Sequence, residues 1–372
     1  MIYLDNSATT KPCKEAVAAM EKALEECWYN PSALYGAGIE ARALLQDART
    51  AVAEKLGAEP GRVFFTSGGT EADNWAVFSA AERLGKRGRH IVTSAVEHHA
   101  ILNPMKKLEA AGFEVTYLKP DSEGRISADA LSEALRKDTI LVSVMTVNNE
   151  TGAVMPIREM VQATRRRSPL ALFHTDAVQG FLKVPFRAKS LGADMISVSS
   201  HKVHGPKGCG ALYVRSGLSL PPYLLGGGQE ENYRSGTEGC PAIAGFGAAC
   251  RAAEPEKEIA AMTAVRDYAV EVLGSLDGIR VLGCHEAPHI LSLSMPGIRS
   301  QGIINCLQDR GICVSAGSAC AKGHRSHVLE AMGVDPKVID GAFRVSLSRD
   351  NSKEDINALR EALIATRGIL KG

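Results

Sequence analysis

The 372-residue sequence predicts an α/β fold. A large domain with a mostly parallel sheet, covered by helices on both faces, precedes a smaller α+β domain. Three observations carry this. Short apolar runs bounded by turn residues recur through the first two-thirds of the chain, as buried strands do. Segments of helical period fill the gaps, and such alternation gives parallel strands with helical crossovers. Near Ala253-Glu254-Pro255-Glu256 the composition turns charged and the alternation stops. At about 150 residues per domain, the length accommodates two or three domains. The predicted division is a large domain over residues 14–254 and a small one from residues 1–13 and 255–372.

Taken in order, residues 14–27 place Val17, Met20, Leu24 and Cys27 at helical spacing. Residues 39–56 do the same with Ala41, Leu44, Leu45, Ala48, Val52 and Leu56. Strands are predicted at 63–66, 90–94, 114–118, 139–146, 170–175, 194–199 and 211–214. A helix at 127–136 opens on Ser127, a residue type that accepts the free N–H groups of a helix start. The second region reads as a long amphipathic helix near 256–275, strands at 289–295, 313–316 and 342–347, and a closing helix from about Ser352.

Composition narrows the function. Lys+Arg number 43 against 42 Asp+Glu, so no net field gathers nucleic acid or a membrane surface. Hydrophobic residues make up 45% and charged residues 23%, which excludes a disordered chain. The nine cysteines are odd in number and scattered, with no C-x-x-C, unlike a secreted disulfide framework. Reduced thiols in a cytoplasmic protein are expected. No secretory signal is expected from Met1-Ile2-Tyr3-Leu4-Asp5, which shows neither a basic nor a long apolar stretch, and the uncharged stretch at 239–250 is too short to span a membrane. The triplet Arg165-Arg166-Arg167 reads as a solvated helix end. The 36 glycines exceed the usual share and suggest tight turns or backbone close to a ligand.

Several segments can carry chemistry. Thr66-Ser67-Gly68-Gly69-Thr70-Glu71 follows a strand and opens a helix, so free N–H groups and the Thr70 hydroxyl can meet a phosphate; a plain strand–helix turn fits it equally. Asp176 ends a predicted strand where α/β sheets bind ligands, although a helix cap explains it too. Ser199-Ser200-His201-Lys202-Val203-His204-Gly205 surrounds Lys202 with the setting of a Schiff-base lysine. A metal pair from His201 and His204 lacks a third ligand nearby. Phosphate cradle, carboxylate and lysine, each just after a strand, are together the parts of a pyridoxal phosphate site. Cys320 lies in a run of small residues, with Lys322, His324 and Arg325 to favour its thiolate. His98 follows a strand and could stack on a ring. Arg344 is a guanidinium in an apolar strand, suited to a carboxylate.

These segments resemble the cysteine desulfurases, in the class V aminotransferase branch of the fold-type I pyridoxal phosphate enzymes. The resemblance runs from Tyr3-Leu4-Asp5-Asn6-Ser7-Ala8-Thr9-Thr10 to the closing helix. It takes in Glu97-His98, Val147-Asn148-Asn149-Glu150-Thr151-Gly152, Asp176 with Gln179, and Tyr233-Arg234-Ser235-Gly236-Thr237. It implies that Lys202 carries pyridoxal 5'-phosphate, Asp176 pairs with the ring nitrogen, Gln179 bonds the ring hydroxyl and His98 stacks on the ring. Gly69, Thr70, Ser199 and His201 would hold the phosphate, with Thr237 reaching in from the second subunit of a homodimer. Asn149 and Arg344 would hold the L-cysteine carboxylate. Cys320 would take the sulfur as a persulfide, for an iron–sulfur scaffold or a thiolation carrier.

The implied reaction converts L-cysteine to L-alanine, with no metal. A selenocysteine lyase would share the cofactor residues, and another class V aminotransferase-type activity would have no use for Cys320. A zinc-binding sulfur carrier using Cys313, Cys320, His324 and His327 is the reading from another class; its spacing fits no structural zinc pattern. The loop Ser315-Ala316-Gly317-Ser318-Ala319-Cys320-Ala321 lacks the second serine and the threonine that flank this motif in many relatives, and Ser348 stands where glycine is common. These departures bear on the sulfur acceptor rather than on the reaction.

Overall fold

The computed structural model describes residues 1–316 and 325–371. The strands in chain order are β1 (Ile2–Tyr3), β2 (Val63–Thr66), β3 (His90–Ser94), β4 (Glu114–Leu118), β5 (Thr139–Ser143), β6 (Leu172–Asp176) and β7 (Met195–Ser199). They continue as β8 (Gly210–Val214), β9 (Arg280–Leu282), β10 (Ile290–Ser294), β11 (Ile312–Cys313) and β12 (Ala342–Ser346). A seven-stranded sheet has the order β2-β8-β7-β6-β5-β3-β4. Its β7-β6-β5-β3-β4 portion is parallel, and β8 runs antiparallel to both β2 and β7.

All seven predicted runs become strands of this sheet, with shifted ends. The 139–146 run stops at Ser143 because Glu97, not a ladder partner, takes the Met145 N–H. The 170–175 run starts at Leu172, since a turn from Ser168 to Ala171 leaves Leu170 exposed. Successive strand residues face opposite helical layers, as the pleat requires. Phe64, Ile91, Leu141 and Leu172 pack on one face, and Phe65, Val92, Val142 and Phe173 on the other.

The predicted first helix is Lys14–Glu25, but its buried residues are Ala16 and Ala23 while Val17 and Leu24 are exposed. The reason is close helix packing. This helix lies against Cys240–Ala252, where a Cβ on Gly245 would come within 2.7 Å of Met20 Cγ. Gly245 leaves room for Met20, and Ala16 shares a buried cluster with Ala249 of that helix. Ser127 does cap its helix, accepting from Ala130 N at 3.0 Å.

The C-terminal region has a three-stranded antiparallel sheet, β12-β10-β9, covered by the helices Pro255–Gly274 and Lys353–Lys371. The predicted 313–316 strand is shorter: β11 pairs with β1, and Ser315 makes an isolated bridge to Arg344. Leu4 is buried in this second core with Leu291, Leu293 and Phe343. Beyond Leu4 the chain crosses to the large sheet, where Thr10 and Cys13 N–H groups bond the carbonyls of His201 and His204. No helix among the described residues is long and apolar enough to cross a membrane.

Candidate active site

Segments following the carboxyl ends of β2, β3, β5, β6 and β7 converge on one cavity of about 310 Å³. This edge of a parallel sheet is where backbone leaves the ladder and side chains become free to meet a ligand. After β2, Gly68 takes φ +154° and the helix Gly69–Leu84 begins. A Cβ on Gly69 would lie 2.6 Å from Val178 Cγ2, so a side chain there would displace Val178. The same Cβ would be 3.6 Å from that of Ser199, which closes β7. Ser199 Oγ is buried without a hydrogen-bond partner. Thr70 and His201 complete this end of the cavity. His201 Nδ1 lies 3.2 Å from Thr9 Oγ1, and burial, with the charges of Lys202 and Lys207, pushes its pKa down to about 4.

Lys202 sits on the 3-10 turn Ser200–Lys202 directly after β7. Gly205 makes this turn possible, because a Cβ there would lie 2.1 Å from Ser200 Oγ. The Lys202 ammonium donates to Ser7 O at 2.6 Å and Ala8 O at 2.8 Å. The crossing N-terminal segment therefore supplies the lysine's acceptors. Asp176 accepts from Val178 N at 2.8 Å through Oδ1; this is a turn, not the helix cap that was the alternative reading. Burial raises its pKa to about 6, against the lowering effects of that N–H and of Lys202.

His98 caps the helix His99–Ala110, its Nδ1 accepting from Ala100 N at 3.1 Å. Burial, with Lys202 nearby, pushes its pKa down to about 4, so the ring is neutral and faces the cavity. Gln179 donates through Nε2 to Ser7 O at 2.9 Å, and its Oε1 lies 3.2 Å from His289 Nε2. A backbone carbonyl only accepts, which fixes the amide's orientation. Arg344 donates to Asn149 O at 2.7 Å and pairs with Asp5 at 2.9 Å. The anionic partner expected for this buried guanidinium is thus already in the chain, while its buried Nε has none.

Lys202, His98, Gly69, Thr70, Asn149, Asp176, Gln179, Ser199, His201 and Arg344 all line the cavity. Thr237 does not; it is exposed on the loop before Cys240–Ala252. Cys320 and His324 lie outside the described residues. The chain on either side of that segment meets the cavity rim. Ser315 bridges to Arg344, Ser326 Oγ bonds Glu150, and His327 Nε2 lies 3.0 Å from Glu97 O. No described cysteine lines the cavity, and burial pushes the thiols of Cys13, Cys209, Cys240, Cys250 and Cys284 up. Among the described residues no group of three or more His, Cys, Asp or Glu could hold a metal.

Sequence reasoning missed Asp73, Asp5 as the partner of Arg344, and His289. Asp73 carried a faint signal: it stands four residues after Gly69, on the same helix face as the cradle. His289 carried none, since only tertiary packing brings the start of β10 to Gln179.

A pyridoxal phosphate fits these residues. The orphaned Ser199 hydroxyl and free helix-start N–H groups suit the phosphate, and the incompletely bonded Asp176 suits a ring N–H.

The fold and cavity define the class: a fold-type I transferase-like α/β enzyme, with its site at the carboxyl edge of a large, mostly parallel sheet. The model of the family "Aminotransferase class-V" matches residues 2–359. A cysteine desulfurase IscS of Methanosarcina thermophila is 41% identical over 369 residues, covering 97% of this chain and 91% of that one. A putative cysteine desulfurase IscS 1 of Bacillus subtilis is 40% identical, covering 95% of each. A solved structure of a NifS-like protein superposes with TM-score 0.92 at 38% identity, covering 100% of this chain and 99% of its own. A solved structure described as SspA in complex with cysteine has TM-score 0.84 and 32% identity, covering 95% of this chain and all of that one. The chain belongs to the class V aminotransferase family, in its cysteine desulfurase branch.

Proposed function

We propose that this protein is a pyridoxal phosphate-dependent cysteine desulfurase. It removes sulfur from L-cysteine, releases L-alanine and holds the sulfur as a persulfide on Cys320 for transfer to an acceptor. The observation that carries this reading is the convergence of Lys202 Nζ, Asp176, the Gly69–Thr70 helix start and Arg344 on one cavity. Cysteine desulfurases about 40% identical over nearly the whole chain support it.

When bound, pyridoxal phosphate supplies a carbonyl that condenses with amines and a ring that takes up the electron pair left at Cα. The chain's own residues do the rest. Thr70, Ser199, His201 and the helix start would bind the phosphate. Asp176 would hold a proton on the ring nitrogen, Gln179 would donate to the ring oxygen, and His98 would lie on the ring face. Arg344 and Asn149 would orient the substrate carboxylate, Arg344 exchanging part of its pairing with Asp5. Lys202 Nζ would act as the base that moves the Cα proton. The Cys320 thiolate would attack the substrate sulfur as the C–S bond breaks.

We divide the chain functionally at 14–254 and 1–13 with 255–372. We infer a homodimer in the cytoplasm, in which Thr237 serves the neighbouring copy's site. Its exposure and its absence from its own cavity's lining support this, as do exposed Trp28, Leu34 and Tyr35. The acceptor is a second protein, a scaffold or a thiolation carrier.

Two variants test the reading. Lys202→Ala is expected to lose the visible band of lysine-bound cofactor while folding normally; an unchanged spectrum reassigns the lysine. Cys320→Ser is expected to keep that band and lose sulfur transfer from L-cysteine. Full sulfide release by this variant overturns the nucleophile assignment.

A further inference from the structure

We propose that Asp73 is a positioning residue for this site, a neutral carboxylic acid whose proton is donated to Asp176, leaving Asp176 as the ionised member of the pair. The inference rests on the cofactor reading above only for its consequence, not for the pair itself. Asp73 lies on the helix Gly69–Leu84, one turn beyond the cradle, and is 1% exposed. Its carboxyl group interacts with that of Asp176, and both residues line the one cavity. Two carboxylates in contact away from water cannot both ionise, so the pair shares a proton.

The surroundings decide which member holds it. Asp176 has the Val178 N–H at 2.8 Å and the favourable charge of Lys202. Asp73 has neither. Its other oxygen, Oδ1, has no hydrogen-bond partner, and His174 Nε2 stands 3.6 Å away. His174 offers no positive charge. Its ring is held between Ser143 Oγ and Ser197 Oγ, each at 2.9 Å, and burial pushes its pKa down to about 3. The third acid in the group, Glu97 from the loop after β3, bonds Ser94 and Met145 and leaves Oε2 without a partner. Burial raises its pKa to about 8, so it adds no anion near neutrality. Of the two aspartates, Asp176 alone has a backbone N–H and a lysine charge to stabilise its ionised form. The Asp73 hydroxyl then fixes the orientation of the Asp176 carboxylate, with its anionic edge toward the cavity.

The test uses the full-length chain with Asp73→Asn and Asp73→Ala, and two readouts. One is the affinity for added pyridoxal phosphate from about pH 5 to 8, followed by quenching of protein fluorescence. The other is the infrared absorption of protonated carboxyl groups in cofactor-free protein at neutral pH. In the wild type, affinity should rise as pH passes through about 6, where Asp176 ionises. Asp73→Asn keeps a donor of the same shape, so this limb should stay in place while one protonated-carboxyl band disappears. Asp73→Ala removes the donor, and the limb should move up by about one pH unit, the worth of one hydrogen bond. A limb that moves down in both variants overturns the proposal, because it means an ionised neighbour was removed. An unchanged infrared spectrum in Asp73→Asn also overturns it. If the wild type takes up no pyridoxal phosphate, the cofactor reading fails, and the infrared band alone decides the state of Asp73. If Asp73→Ala does not fold, Asp73→Asn decides it.

Discussion

Two buried aspartates on neighbouring strands of one sheet meet opposite fates. Asp194 stands at the amino end of β7, where Arg215 and Arg165 take its two oxygens at 2.7 and 2.6 Å and Phe173 N donates at 2.7 Å. Asp176 stands at the carboxyl end of β6 with one backbone donor and a carboxyl neighbour. Burial is similar, but satisfaction is not. A buried carboxylate whose acceptors are all filled holds the fold together. One left short of donors, at the edge where ligands bind, is completed by what enters. The same contrast separates two arginines. Arg49 is paired bidentately with Glu230, whereas Arg344 keeps a buried Nε without a partner.

This contrast is open to mutation. The largest effect is expected from Asp176→Asn, which preserves shape and removes charge. Desulfuration should fall at least about a hundred-fold, with the melting temperature almost unmoved. Equal losses of activity and stability would place Asp176 with the structural carboxylates. Asp194→Asn should do the reverse. Removing a charge held by two arginines should cost about 1–3 kcal/mol of stability, since both arginines are partly exposed and can rehydrate. Cofactor affinity should be retained, and a denaturant titration beside a cofactor titration reads both.

The smallest effect is a pH dependence. Asp176 is an acid whose folded pKa is raised, to about 6 from an ordinary 3.8. Between these values the folded protein binds the proton more tightly than the unfolded chain does. The group's own stabilising contribution is therefore full at low pH and is lost as pH rises through about 6. Cofactor binding works against that trend, because it needs the ionised form. The gain in melting temperature on adding pyridoxal phosphate should grow as pH rises from about 5 to about 7. It should stay flat in Asp176→Asn and keep its slope in Asp194→Asn.

The contrast also explains what could be read beforehand. Val63–Thr66 and His90–Ser94 were legible because a strand buried on both faces is a continuous apolar run between breakers. Asp176 and Lys202 were legible because each follows such a run directly. Element ends and buried faces were less so. Val17 and Leu24 look like a core stripe, yet the buried residues of this helix are Ala16 and Ala23, with Ala16 in one cluster with Ala249 of the facing helix. Nothing local assigns Asp5 to Arg344, His289 to Gln179 or Asp73 to Asp176, because each pair joins residues far apart in the chain. Satisfaction is a tertiary property, so the difference between Asp194 and Asp176 emerges only once their neighbours are in place.

The central claim is that this cavity, with Cys320, moves sulfur from L-cysteine to the enzyme. Its most direct test is one turnover of pyridoxal phosphate-loaded full-length protein with L-cysteine and no acceptor. Alanine and cysteine-bound persulfide should form in equal amounts, with the persulfide mapped to Cys320. Alanine without persulfide on Cys320, or no alanine from fully loaded protein, would contradict the account.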